Sequence, residues 1–242
     1  MIVTPTPEEW LDRQEVVGKT LRRNREESDL SHASDRYIKH CLEELTIVAV
    51  DPGGTTGWSV MKLQYWDLID HSKPVEDAVR LWQHGQIDCG ADSGGVNDSA
   101  ESHGAIEEAE FSEAAGVLVM ENIIAENTLL AGVTAVVVED FILQKQSRAR
   151  DILSPVRITA ALDQLLWEKQ ATTRFSQMPS DAKVALTDDR LKYAQFYDER
   201  GGRHARDADR HALLFLRKCR QKPALTKQAW PAVAEARRRR LV

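Results

Sequence analysis

Two strand-length apolar runs in this sequence each carry a carboxylate, and that combination constrains the fold more than any other feature. Thr46 to Asp51, with Val48 and Val50, ends in the turn Pro52, Gly53, Gly54. Val133 to Leu143 is rich in Val and interrupted only by Glu139 and Asp140. Apolar runs of this length read as central strands covered on both faces. A carboxylate buried in such a strand is costly to keep ionised unless a cation or hydrogen bonds stabilise it. Neighbouring strands would bring the two acids together, where a hard cation with oxygen ligands relieves their repulsion, so Mg²⁺ or Mn²⁺ is expected. Successive strand residues face opposite sides, so only one of Glu139 and Asp140 shares a face with Asp51.

The rest of the chain supplies partners for these strands. Gly57 to Lys62 reads as the return of a hairpin and Leu81 to Ile87 as a third strand. Asp88 to Gly104 is acidic and rich in Gly and Ser, the composition of a loop. Phe111, Ala115, Leu118, Val119 and Ile123 recur at helical spacing and predict a helix from Ile106 to Leu130. Ser154 and Pro155 read as the N-cap and first-turn proline of an amphipathic helix, Val156 to Gln170. A strand at Thr172 to Gln177, short helices at Pro179 to Leu186 and Asp188 to Tyr197, and a helix from His204 to Arg220 follow. Strands first, then helices alternating with strands, predict a mixed α/β sheet covered by helices.

In a chain of 242 residues, 42% of them hydrophobic, this amounts to one domain at 45–221 with an acidic insertion near 88–105. A polar helical extension, 1–44, precedes it, and 222–242 reads as a basic tail. No apolar run approaches the roughly 20 residues of a membrane span, and the amino terminus lacks a signal pattern, so a soluble cytoplasmic protein is expected. Three widely spaced cysteines, Cys41, Cys89 and Cys219, form neither a CxxC metal motif nor a disulfide framework.

The net charge of -6 hides an asymmetry. Cys89 to Asp140 contains no Lys or Arg, whereas Arg203 to Val242 holds 12 Lys plus Arg against 3 acids. One end, including the run Arg237 to Arg240, suits attraction to DNA, although charges also segregate along chains without consequence. On the final helix His204, Asp207 and His211 stand at i, i+3 and i+7, along one stripe, while Asp209 lies about 200° from Asp207 and outside it. Alone, that stripe is an ordinary charged helical face.

Taken together, these motifs resemble a known family. VAVDPGGTTGWSV (48–60) is similar to the first hairpin of the RuvC-type Holliday junction resolvases of the ribonuclease H-like superfamily, VVVEDF (136–141) to their glutamate strand, and HARDADRHALLFL (204–216) to their carboxyl-terminal acidic helix. The order is the family's, and the match is especially close to resolvases of bacteriophages of actinobacteria. The resemblance implies a ribonuclease H-like mixed β-sheet flanked by α-helices, a homodimer, and symmetric cuts in four-way or other branched DNA. It implies two divalent ions held by Asp51, Glu139, His204 and Asp207, with Asp51 bridging them. Lys183, in PSDAK, would meet the scissile phosphate, or is simply a surface lysine; Arg148, Arg150 and Arg157 stand in the same position as phosphate contacts. Trp58 and Trp66 read as hairpin packing residues rather than base-stacking wedges. The Gly- and Thr-rich turn after Asp51 also occurs in actin-like small-molecule kinases, and a noncatalytic DNA-binding relative is a third reading.

Overall fold

The computed structural model describes residues 30–89, 106–107, 113–128, 130–140, 149–169 and 173–242. Residues 1–29 of the expected helical extension, most of the acidic insertion, Arg148 and the side chain of Arg150 lie outside the described residues.

Among the described residues one sheet contains β1 (Leu45–Asp51), β2 (Thr55–Leu63), β3 (Val79–Asp88), β4 (Ile106–Glu107), β5 (Thr134–Glu139) and β6 (Thr173–Gln177). The strand order is β4-β3-β2-β1-β5-β6. β1, β2 and β3 form an antiparallel meander, and β5 and β6 extend it in parallel on the far side of β1. This is the mixed sheet flanked by helices that the sequence pattern predicts, with β4 as a two-residue addition at one edge. The helices are α1 (Asp35–Cys41), α2 (Tyr65–Ile69), α3 (Glu113–Glu126), α4 (Ala149–Lys169), α5 (Pro179–Ala185), α6 (Asp188–Tyr193), α7 (Arg203–Gln221), α8 (Pro223–Ala229) and α9 (Pro231–Arg238).

Two cores lie on the two faces, sorted by the period-2 alternation of the strands. Ile47, Ala49, Ala135 and Val137 pack with Ala212, Leu213 and Phe215 of α7 and with Trp230 and Val233. Val48, Val50, Val136 and Val138 pack with Val117 and Met120 of α3 and Ile158 and Leu162 of α4. Asp51 and Glu139 continue the first series, so both carboxylates project toward α7. The parallel register Ala49↔Val137 and Val50↔Val138 then sets them side by side at the carboxyl ends of adjacent strands. Asp140 takes the opposite parity and its backbone N–H bonds Gln177 O at 2.8 Å.

Several elements depart from expectation. Ile106 pairs beside β3 as a strand, and the helix begins only at Glu113. Ser154 does not cap a helix: its hydroxyl bonds Glu113 Oε1 at 2.7 Å, and α4 starts at Ala149 with Pro155 inside it. The segment read as a basic tail is two packed helices. Trp230, Ala232, Val233 and Ala236 are fully buried, and Trp230 Nε1 donates to Thr46 O at 3.1 Å. Arg237 bonds the Tyr65 hydroxyl, Arg238 and Arg239 bond Glu235, and Arg239 also reaches the carbonyls of Leu30, Ser31 and Ala33. Arg237 and Arg239 thus tie α9 to the rest of the domain, and Arg239, held by Glu235, clasps the segment that leads into α1. No helix among the described residues is long and apolar enough to cross a membrane.

Candidate active site

α7 reaches the strand-end carboxylates because its first turn lies directly on the sheet. Gly57 pairs with Asp51 across the hairpin, and a Cβ there would stand 2.0 Å from His204 O. Gly202 similarly leaves room only for the Gln86 side chain, which a Cβ would meet at 1.9 Å. The N-cap position, Gly202, supplies no side-chain bond, so Gln86 of β3 serves from a distance: its Oε1 accepts the His204 N–H at 2.9 Å. One of the helix's orphan donors is thereby satisfied by the sheet.

Held this way, His204 places Nδ1 2.8 Å from Asp51 Oδ2. Asp51 is 7% exposed. Burial pushes its carboxyl above the usual carboxylate range; the His204 bond opposes the shift, and the nearby charges of Glu139 and Asp207 reinforce it. One turn on, Asp207 is also buried, paired with Arg210 and 3.2 Å from Lys183 Nζ. Arg210 is fixed in turn by Asp188 and by the Leu186 carbonyl. A further turn along, His211 is fully buried with Nε2 2.6 Å from Glu139 Oε2.

Gln177, opposite Glu139 in the sheet, completes this contact. Its Oε1 stands 3.3 Å from His211 Nδ1, and its Nε2 has no partner. Turning the amide over lets Nε2 donate to Nδ1, and His211 then donates Nε2–H to Glu139, which satisfies both groups.

The structure therefore gathers Asp51, Glu139, His204, Asp207 and Lys183 at one corner of the domain. It adds His211, Gln177 and Gln86, which sequence reasoning had not assigned to the site. His211 stood on the stripe already noted; the two glutamines gave no local signal, because the strand register alone brings them there. Asp209 lies apart from the cluster, as its helical angle predicts. Arg157 is turned toward Glu113 at 3.4 Å. Trp58 packs against the core of the α3 and α4 face, and Trp66 is half exposed, edge-on to Tyr65. The Gly- and Thr-rich turn is closed on itself: Gly53 N–H donates to Thr56 Oγ1 at 3.2 Å, and that hydroxyl donates back to Gly53 O at 2.9 Å.

No protein-family model and no curated protein sequence matches the chain. Solved structures do. Thermus thermophilus RuvC in complex with a Holliday junction substrate is 12% identical, with 73% of this chain and 96% of that one covered at a TM-score of 0.46. A second Thermus thermophilus RuvC structure is 14% identical over the same shares, at a TM-score of 0.43. The likeness is distant.

Among the described residues no three His, Cys, Asp or Glu side chains converge as a ready metal site. Each acid is instead met by an internal partner: Asp51 by His204, Glu139 by His211, Asp207 by Arg210 and Lys183. The donor chemistry nonetheless fits a hard divalent cation. The buried Asp51 carboxylate bonds the His204 imidazole and feels the charges of Glu139 and Asp207, and the like charges raise its proton affinity.

Proposed function

We propose that this chain is a divalent-metal-dependent endonuclease of branched DNA, a RuvC-like resolvase of the bacteriophage type that acts on four-way junctions as a homodimer. The observation that carries the reading is the buried Asp51 at the end of the central strand, with the Glu139 and Asp207 charges and the His204 imidazole beside it. Asp51, Glu139, His204 and Asp207 would hold two Mg²⁺ or Mn²⁺ ions. When bound, such a pair supplies the Lewis acidity for in-line phosphodiester hydrolysis.

The other residues have roles of their own. His211, backed by Gln177, orients Glu139 from behind, and Gln86 fixes the turn that carries His204. Lys183 borders a cleft of about 380 Å³ that Arg203, Arg206 and Arg210 also line, with Asp207 in its wall. Four cations against Asp188 and Asp207 leave this cleft positive, and it suits the phosphates of a strand entering the site. Lys183 is the cation best placed to meet the cleaved phosphate, since it already reaches Asp207.

One contact in the turn weighs against the kinase reading. The Gly53 N–H that would cradle a phosphate is already bonded to the buried Thr56 hydroxyl. The test is a substrate panel of end-labelled four-way junction, Y-shaped and linear duplex DNA with Mg²⁺, Mn²⁺ or EDTA. Paired, metal-dependent junction cuts are expected. Cutting of Y-shaped or linear DNA alone would change the substrate, and absence of cutting with every substrate and metal would overturn the proposal.

A further inference from the structure

α7 carries a second buried acid that the proposed chemistry does not use. Asp209 is fully buried, and its two oxygens are both taken by β3: Oδ1 accepts Trp82 Nε1 at 2.7 Å and Oδ2 meets His84 Nδ1 at 2.7 Å. The other ring nitrogen of His84 lies 3.4 Å from Asp198 Oδ2, in the connection that leads from α6 into α7. Asp198 accepts the Arg200 N–H at 2.8 Å and so helps shape that connection. Gly201 packs so closely that a Cβ would come within 2.8 Å of the His84 ring.

Trp82, His84 and Gln86 alternate along β3 and therefore share one face. Each holds a different part of the same element. Gln86 bonds the backbone of His204 and fills the space left by Gly202. His84 holds Asp209, Asp198 and Gly201. Trp82 holds Asp209 and stacks edge-on against Phe196, with ring centroids 5.2 Å apart. The start of α7 is thus pinned to one strand at residue 204 and again at residue 209, on either side of Asp207. Two attachment points fix both the rotation of the helix and its height along the sheet.

A buried ion pair is a weak source of stability, because desolvation offsets much of the attraction, and apolar replacements of similar volume are often neutral or better. What such a pair adds is defined geometry, since its hydrogen bonds are satisfied in one arrangement only. We infer that His84 and Asp209 are positioning residues: the Asp209–His84–Asp198 chain sets the rotation and height of α7 that present His204 and Asp207 to Asp51. The inference rests on the endonuclease reading for its catalytic consequence, but not for its structural one.

The test compares wild type with His84→Leu, which removes both bonds, with His84→Asn, whose amide retains the reach to Asp209, and with the isosteric Asp209→Asn. Three quantities are read: single-turnover cleavage of a four-way junction with Mn²⁺, junction affinity in EDTA, and the ¹⁵N signals of the His204 imidazole by NMR. Misplacement of reacting groups by about 1 Å costs on the order of 100-fold in rate. Cleavage by His84→Leu and Asp209→Asn should therefore fall at least about tenfold, with junction affinity within about twofold of wild type. The His204 signals should shift in both variants, and His84→Asn should recover most of the rate and the wild-type signals. Unchanged cleavage and unchanged His204 signals in a folded His84→Leu or Asp209→Asn protein would overturn the inference. If wild type cuts nothing, the endonuclease reading fails by itself, and the His204 signals still decide whether the chain positions α7.

Discussion

Replacing Gly57 with alanine tests how α7 reaches the site. The added methyl would stand 2.0 Å from His204 O, 2.2 Å from His204 C and 2.8 Å from Ala205 N, all backbone atoms with no rotamer to escape into. Restoring an ordinary contact of 3.4 Å from 2.0 Å requires the first turn of α7 to lift off β2 by the difference, 1.4 Å. That carries His204 out of hydrogen-bond range of Asp51, from which it now stands 2.8 Å. Overpacking of this kind costs about 1–3 kcal/mol, and the lost hydrogen bond about 1 kcal/mol more. At about 2–4 °C per kcal/mol for a chain of this size, the melting temperature should fall by roughly 5–15 °C. Cleavage should fall further, by on the order of 100-fold, because the displaced residues include the proposed metal ligands. Circular dichroism melting and single-turnover junction cleavage measure the two effects, with Gly53→Ala as control, since its nearest contact would be Thr55 O at 3.2 Å. A Gly57→Ala protein that melts within about 1 °C of wild type and cuts at the wild-type rate would refute the direct seating of α7 on β2.

Two further substitutions probe the carboxyl-terminal helices. Trp230→Ala removes a fully buried ring and its bond to Thr46 O, and should cost about 3–5 kcal/mol in urea unfolding; a loss under about 1 kcal/mol would remove α8 and α9 from the core. Glu235 is held down to about 2 by its bonds to Arg238 and Arg239, so its contribution is present above the ordinary glutamate value and is lost as pH falls toward 2. Wild type should exceed Glu235→Gln in stability by no more than about 1 kcal/mol near neutral pH, and the gap should close in acid; a gap that widens on acidification would contradict the clasp.

The parts of the fold legible in the sequence were those governed by short-range pattern. The Val-rich runs declared β1 and β5, and their period-2 alternation settled which side of β5 faces Asp51 once the register was known. The i, i+3, i+7 spacing put His204, Asp207 and His211 on one stripe. What could not be read depended on contacts across the fold. The carboxyl-terminal segment looked like a tail because Arg237 to Arg240 dominate its composition, whereas Trp230, Ala232, Val233 and Ala236 form a narrow apolar stripe whose partners lie on the sheet and α1. Ser154 preceded a proline in the manner of an N-cap, yet Glu113 claimed its hydroxyl from another helix. Gln86, Gln177 and Gly57 entered the site through strand register alone, and Asp209 found Trp82 and His84 more than a hundred residues away.

Whether Asp51 and Glu139 hold the metal ions of a junction endonuclease is decided by one comparison. Single-turnover cleavage of a four-way junction with Mn²⁺ would be measured for wild type, Asp51→Asn and Glu139→Gln, each confirmed as folded by its melting curve. Paired cuts are expected from wild type, and at least about a thousandfold loss, some 4 kcal/mol of transition-state stabilisation, in each variant. Junction cleavage at near wild-type rate by either variant would contradict the assignment of metal ligands.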